Sequence, residues 1–250
     1  MKKLLLTGAS GGIGSEIARR AQKSGYKVGL IDNDEKRLLE LSSEIPDSVV
    51  LPTNVSDEQS VQKALEIFRE IPDALVNCAG IVRYGSLLEQ TVEEFKEVLE
   101  VNLLGTFIVS RSVARLMIKN KKGNIVNISS ISGGKHPAIS TGSYASSKAG
   151  VAMLSEQMSL EFGKEGIRVN TISPGFINTG MAAPHYTVES ERRKRETMVP
   201  LGRLGNAEDI AKVVMFLLSD ESSYIHGENI IVDGGLMNSV LANISRELQD

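Results

Sequence analysis

The sequence predicts an α/β fold in which a mostly parallel sheet lies between two layers of helices. Two observations predict it. Short apolar runs alternate with segments of helical period along the chain of 250 residues, the pattern of strand–helix units whose sheet is covered on both faces. The first apolar run also breaks into a glycine turn that leads straight into a helix, as at the phosphate sites of dinucleotide folds. No linker-like segment, low-complexity tract or repeat of fixed period interrupts the chain, so residues 1–250 read as a single domain.

The first strand reads as Lys3 to Thr7, and the helix after it carries Ile13, Ile17 and Ala21 four apart on one face. Strands two to seven read as Lys27–Asp32, Ser48–Pro52, Ala74–Asn77, Asn124–Ser129, Ile167–Ser173 and Asn229–Val232. The clearest helix has Ile210, Val213, Val214 and Leu217 on one face. Its N-cap is Asn206, with Glu208 and Asp209 in the first turn. The rhythm breaks between Gly180 and Gly205, a polar stretch with Pro184, Pro200 and the charged run Glu189 to Glu196. That is too long for an ordinary connection, and a substrate lid is expected over about 180–204. Its charges read either as a solvated helix face or as cations facing an acidic substrate. The tail, 236–250, has Leu241, Ile244 and Leu248 at helical spacing, and is expected to pack on its own subunit or on a neighbour.

Composition narrows the function. With 28 basic and 31 acidic residues the net charge is −3, without the basic excess of a nucleic-acid binder. Cys78 is the one cysteine, so no intramolecular disulfide forms, and a reducing, cytoplasmic setting is expected. Lys2 and Lys3 precede three leucines, but Gly8 ends that run too early for a signal-peptide core. No stretch is expected to approach the length that spans a bilayer. Three scattered histidines lack ligand spacing, and no metal site is expected.

The glycine turn reads Thr7-Gly8-Ala9-Ser10-Gly11-Gly12-Ile13-Gly14. Glycines let the backbone turn tightly and let a pyrophosphate approach a helix N-terminus. Gly8, Ser10, Gly12, Ile13 and Gly14 are therefore candidate cofactor contacts. Asp32 ends the second strand, 18 residues after Gly14. An acidic side chain there accepts hydrogen bonds from the adenosine ribose and repels the extra phosphate of NADP. No Arg or Lys stands at Gly11, Gly12 or Asn33 to offset it, so NAD is expected over NADP.

Further motifs follow in order: Asn77-Cys78-Ala79-Gly80, Val101-Asn102, Asn127-Ile128-Ser129-Ser130, Tyr144-Ala145-Ser146-Ser147-Lys148, Ser173-Pro174-Gly175 and Val232-Asp233-Gly234-Gly235. Together with the glycine turn, they resemble the short-chain dehydrogenase/reductase family from Leu4 to about Leu236. The resemblance implies a Rossmann-type, doubly wound, seven-stranded parallel sheet in three α/β/α layers, in the order 3-2-1-4-5-6-7, and a homotetramer. It also implies that Tyr144 is the general acid or base at the reacting oxygen and Lys148 its partner four residues on. Ser130 would position that oxygen, and Asn102 would hold a water in a proton relay to Lys148. Tyr144 and Lys148 would also touch the cofactor. Asn54, where the family usually has Asp, would meet adenine with Val55 beside it. Asn77, Ala79 and Gly80 would line the cleft, Pro174 and Gly175 would flank the nicotinamide, and Thr179 and Ile177 would hold its carboxamide.

The chemistry these roles require can be stated. A free tyrosine has a pKa near 10, and a base for alcohol oxidation works better with a lower one. Lys148 and an oxidised nicotinamide both favour phenolate. Bringing Tyr144 to roughly 7–8 needs about 3–4 kcal/mol. Some positions depart from the family pattern. Cys78 replaces a common Asn and reads as a small buried hydrophobe. Ser130 stands 14 residues before Tyr144, one more than is commonest, which keeps Ser129 and Ser132 as alternatives. His136 follows Ser130 in a loop, with substrate contact as a secondary reading, and His226 stands where Thr is commoner.

The implied activity is hydride transfer between NAD(H) and a small carbonyl or secondary alcohol. Pro200-Leu201-Gly202-Arg203 resembles the 3-oxoacyl-thioester reductases, which usually take NADPH and carry a basic residue near Gly11. Its absence, with Asp32, points instead to a catabolic dehydrogenase of sugars, polyols or hydroxy acids. A non-catalytic NAD-binding sensor is the competing class, disfavoured because Tyr144 and Lys148 are both present. No nucleic acid and no membrane is expected as partner.

Overall fold

Seven strands form one sheet in the order β3-β2-β1-β4-β5-β6-β7, as the resemblance implies. They are β1 (Lys2–Thr7), β2 (Tyr26–Asp32), β3 (Val49–Pro52), β4 (Ala74–Asn77), β5 (Gly123–Ile128), β6 (Ile167–Pro174) and β7 (Asn229–Val232). Every neighbouring pair is parallel. The computed structural model describes residues 1–134 and 136–241.

The helices are α1 (Gly12–Lys23), α2 (Glu35–Glu44), α3 (Glu58–Phe68), α4 (Val92–Leu99), α5 (Gly105–Met117), α6 (Gly142–Phe162), α7 (Glu189–Met198) and α8 (Ala207–Leu218). Side chains alternate across a strand, and β1 shows both cores this creates. Leu4 and Leu6 pack with Ile17, Leu38, Ile210 and Val214 from α1, α2 and α8. Leu5 faces the other way, with Phe68, Val113 and Met158 from α3, α5 and α6. All three leucines are fully buried, so the run shows no polar alternation. At α8 the N-cap Asn206 and Asp209 form a reciprocal capping box.

One expectation is corrected. The run Val92–Asn120, 29 residues, is long and apolar enough to cross a membrane. A π-helical turn, Glu100–Leu104, joins α4 to α5 without a break, a continuity masked in sequence by Glu100 and Asn102. Half of its most apolar window is buried inside the domain, where Val109, Val113 and Met117 lie under the sheet. It is a core helix of this fold.

After β6 the chain forms a 3-10 segment, Gly180–Tyr186, and then α7. The α7 cations pair with acids on their own helix: Arg192 with Glu189 and Glu196, Arg193 with Glu189, Lys194 and Arg195 with Glu191. Of the two readings of this run, the solvated face fits. The tail opens with a 3-10 segment, Leu236–Leu241; the expected contacts of Ile244 and Leu248 lie outside the described residues.

Candidate active site

Strand order reverses at β1, and the carboxyl ends of β1 and β4 open a crevice there, the usual ligand site of such sheets. Thr7 joins the two ends. Its buried hydroxyl accepts from the main-chain nitrogens of Cys78 (3.1 Å) and Ala79 (3.2 Å). Gly8 follows with φ +65°, and a Cβ there would stand 2.6 Å from Ala79 N, so only glycine fits. The α1 N-terminus has neither a capping side chain nor an acidic residue in its first turn. Its free N–H groups therefore suit an anion, and Ser10, Gly12, Ile13 and the buried Gly14 surround it. Thr179 lies against Gly12, its hydroxyl in the space a side chain there would fill.

Asp32 ends β2 facing this loop. Its Oδ2 accepts from the Ser10 hydroxyl (2.7 Å) and the Ser10 N–H (3.1 Å), and its Oδ1 accepts from Asp34 N (3.3 Å). The carboxylate is thus held against the glycine loop. Asn54 turns its Oδ1 onto Ser56 N and Oγ, so that oxygen is already used within its own turn. The Val55 side chain packs in the core against Gly105. Asn77 is 4 % exposed and donates to Ser110 Oγ and Asn127 Oδ1, both at 2.8 Å. It braces the floor of the cleft from below.

The second half of the site hangs on α6. Tyr144 and Lys148 stand one turn apart on it, and their main-chain carbonyls are both tied down. Ser147 Oγ donates to Tyr144 O, and Ser129 Oγ donates to Lys148 O, each at 2.7 Å. That bond commits the Ser129 hydroxyl. Lys148 Nζ donates to Ile128 O at 2.8 Å and lies 5.8 Å from the Tyr144 ring centre. Only one ammonium hydrogen is spent there. Asn102, wholly buried in the π turn, accepts from Ile81 N (2.8 Å) and donates to Ile81 O (3.0 Å) and Ser147 Oγ (2.9 Å). A Cβ on Gly80 would stand 3.3 Å from both Asn102 Oδ1 and Lys148 Nζ, which places these three at one point. Ser130 caps a short 3-10 turn, accepting from Ser132 N, and its hydroxyl favours the ionised form of Tyr144.

Burial dominates the electrostatics of this pair. In the protein itself the Tyr144 phenol is pushed up to about 12, chiefly by burial, with the Ser130 hydroxyl pulling it back in part. Burial brings the Lys148 ammonium down to about 8. The cost of burying charge outweighs what these residues give the phenolate, so lowering Tyr144 falls to a further cation. Burial also pushes the Cys78 thiol up to about 11, so it stays protonated and unreactive at neutral pH.

A family model described as "Enoyl-(Acyl carrier protein) reductase" matches residues 8–237. The chain belongs to the short-chain dehydrogenase/reductase family. It is 37 % identical to a 3-oxoacyl-[acyl-carrier-protein] reductase of Rickettsia conorii over 241 residues, covering 94 % of this chain and 97 % of that one. It is 38 % identical to a (3R)-3-hydroxyacyl-CoA dehydrogenase of Mus musculus over 248 residues, with 93 % and 95 % covered. A solved 3-oxoacyl-[acyl-carrier protein] reductase of Brucella melitensis with bound NAD superposes with a TM-score of 0.86 at 29 % identity, covering 94 % of this chain and 90 % of that one. As a short-chain dehydrogenase/reductase, the protein is an oxidoreductase of hydroxyl and carbonyl groups.

The remaining motif residues of this short-chain dehydrogenase/reductase lie at the same sheet edge. Pro174 ends β6, and Gly175 N donates to Val232 O at 3.0 Å. Ile177 is buried and accepts from Thr179 N at 2.9 Å. His136 stands exposed in the loop before α6. His226 bridges strand and helix instead: its Nδ1 accepts from Val169 N (3.1 Å) and its Nε2 meets Ser159 O (2.9 Å). Three residues escaped the sequence reading. Thr7 stood inside a quoted motif, Ser147 inside another, and Tyr84 in no motif at all.

Proposed function

We propose that this protein transfers a hydride between NAD(H) and a small carbonyl or secondary alcohol, with Tyr144 delivering or removing the proton at the reacting oxygen. The observation that carries the reading is the convergence of Tyr144, Lys148 and Ser130 beside an uncapped helix N-terminus. The nicotinamide supplies the hydride chemistry when bound. Tyr144, protonated at neutral pH, donates to the developing alkoxide in the reductive direction. Ser130 orients the substrate oxygen. Lys148 has two ammonium hydrogens left for ribose hydroxyls and for the charge on Tyr144. With both Asn102 amide hydrogens used, its main-chain carbonyl in the π turn is the group for a relay water, shared with Thr106 Oγ1 at 2.7 Å. Gly8, Ser10, Gly12, Ile13 and Gly14 cradle the pyrophosphate, and Asn54, Ala79, Gly80, Pro174, Gly175, Ile177 and Thr179 complete the cofactor cleft.

The preference for NAD over NADP rests on Asp32, clamped by Ser10 with no basic residue at Gly11, Gly12 or Asn33. Two measurements test the reading. Tyr144→Phe should lower turnover by roughly 10²–10⁴-fold while calorimetry still shows cofactor binding. Asp32→Ala should relax the NADH/NADPH affinity ratio toward NADPH; an unchanged ratio removes Asp32 as selector.

The second reading is a 3-oxoacyl-thioester reductase using NADPH. The names of the bacterial relatives and the Pro200–Arg203 stretch favour its substrate class. A wild-type preference for NADPH would remove Asp32 as selector and favour this second reading. We further infer a homotetramer in a cytoplasmic setting and a lid over 180–204. An open groove lined by Leu99, Leu103, Leu104, Phe107 and Leu154 supports the assembly.

A further inference from the structure

Along Gly180–Met198 the side-chain hydrogen bonds and ion pairs are mostly local. Thr187 Oγ1 donates to Pro184 O, Thr197 Oγ1 to Lys194 O, and the α7 charges pair along their own helix. Among the described residues, one hydrogen bond joins this stretch to a distant part of the chain. It runs between His185 Nε2 and Tyr84 Oη at 2.8 Å, with the rings edge-on at 5.2 Å and 80°.

Tyr84 lies in the loop between β4 and α4, and that loop is braced against the entry to α6. Gly85 N donates to Ser140 O at 3.1 Å, and Gln90 Nε2 donates to Ser143 Oγ at 2.9 Å. Leu87 occupies the space beside Gly142. Ser143 immediately precedes Tyr144 in the chain, and a charge on the Tyr84 phenol would be felt at Tyr144. The Tyr84–His185 contact therefore spans the mouth of the site, from the wall beside the acid/base candidate to the segment above it. Tyr84 remains half exposed, at 54 %, so its ring is open to the solvent side of the mouth.

The pair has a free hydrogen. A phenol and an imidazole carry at least two polar hydrogens, and the contact between them consumes one. Whichever group donates, an O–H or N–H is left to point at an acceptor. We propose that Tyr84 and His185 form a clasp that selects substrates with a second oxygen near the reacting carbonyl, as in a β-keto ester or thioester. A site built to hydrogen-bond such an oxygen rejects the analogue that lacks it. The inference rests on Tyr144 being the acid/base of the proposed reaction.

Full-length protein tests it in two arms. Methyl acetoacetate and 2-hexanone have chains of equal length, and only the ester has the second carbonyl. With NADH, Tyr84→Phe and His185→Phe should each lower kcat/KM for the ester roughly tenfold more than for 2-hexanone, the share of one neutral hydrogen bond. In the second arm, trypsin without ligand should cut at Arg192–Arg195 several-fold faster in Tyr84→Phe than in the wild type. An ester-to-ketone ratio that neither variant changes overturns the clasp, even if trypsin cuts faster, because a mere latch moves only proteolysis. A wild type that does not reduce the ester overturns it too. Tyr144→Phe is the control: turnover surviving that change rejects the underlying reading, whereas a dead Tyr144→Phe with an unmoved ratio rejects the clasp alone.

Discussion

Lys148 carries two roles that pull against each other. Its ammonium is buried, and its value of about 8 lies below the ordinary 10.5. The unfolded chain binds the extra proton between those values, so stability attributable to this group rises as pH climbs from about 8 to 10.5. Below pH 8 the folded protein bears the full cost of the buried charge, about 3 kcal/mol. Lys148→Met should therefore raise the free energy of urea unfolding at pH 7, by up to about 3 kcal/mol, while turnover collapses. The gain should shrink toward pH 10. A variant less stable at pH 7 would show that the bond from Nζ to Ile128 O outweighs the desolvation. The residue scale also shows where sequence reading stops. Ser129 and Ser130 are adjacent and identical in type, so spacing alone leaves both open. The structure separates them, because Ser129 is committed to Lys148 O and Ser130 faces the phenol.

The π turn at Glu100–Leu104 is the element that registers α6 against the cleft. Asn102 reaches both polar atoms of Ile81 and the Ser147 hydroxyl, which in turn holds Tyr144 O. Asn102→Ala leaves these buried partners unpaired, and a loss of about 2–4 kcal/mol is expected from chemical denaturation. A loss under about 0.5 kcal/mol would mean that water replaces the side chain at no cost. The seven strands were legible within one or two residues because each is a short apolar run bounded by a turn. The glycine loop and Tyr144-x-x-x-Lys148 were legible because the residues of each stand close together in the chain. Contacts made across the fold leave no such trace. Tyr84 and His185 lie 101 residues apart, and the α4–α5 continuity depends on a turn geometry that no residue pattern announces. The burial that raises the Tyr144 phenol is likewise a property of the fold and not of local spacing.

At the scale of the whole molecule, apolar surface is unevenly spread. Leu104, Phe107, Met153 and Leu160 are exposed on α6 and the helical run before it. The groove between Leu99, Leu103 and Leu154 runs through the same region. Exposed apolar surface of this kind marks association sites, and a copy of the same chain is the proposed partner. Phe107→Glu should shift the mass measured by light scattering to a smaller species without unfolding the protein. An unchanged mass would place the subunit contact elsewhere.

The Thr179–Gly12 contact has a kinetic consequence. In the proposed reading, the pyrophosphate site and the hinge of the 180–204 lid share the Thr179–Gly12 contact, so a dinucleotide settling on the glycine turn would shift the hinge. Substrate arriving first would meet a hinge not yet set. The reaction should then proceed by compulsory order, dinucleotide on first and off last. Oxidised dinucleotide should inhibit competitively against the reduced form, and the alcohol product noncompetitively against both reactants. Random-order patterns would show that the hinge and the turn move independently.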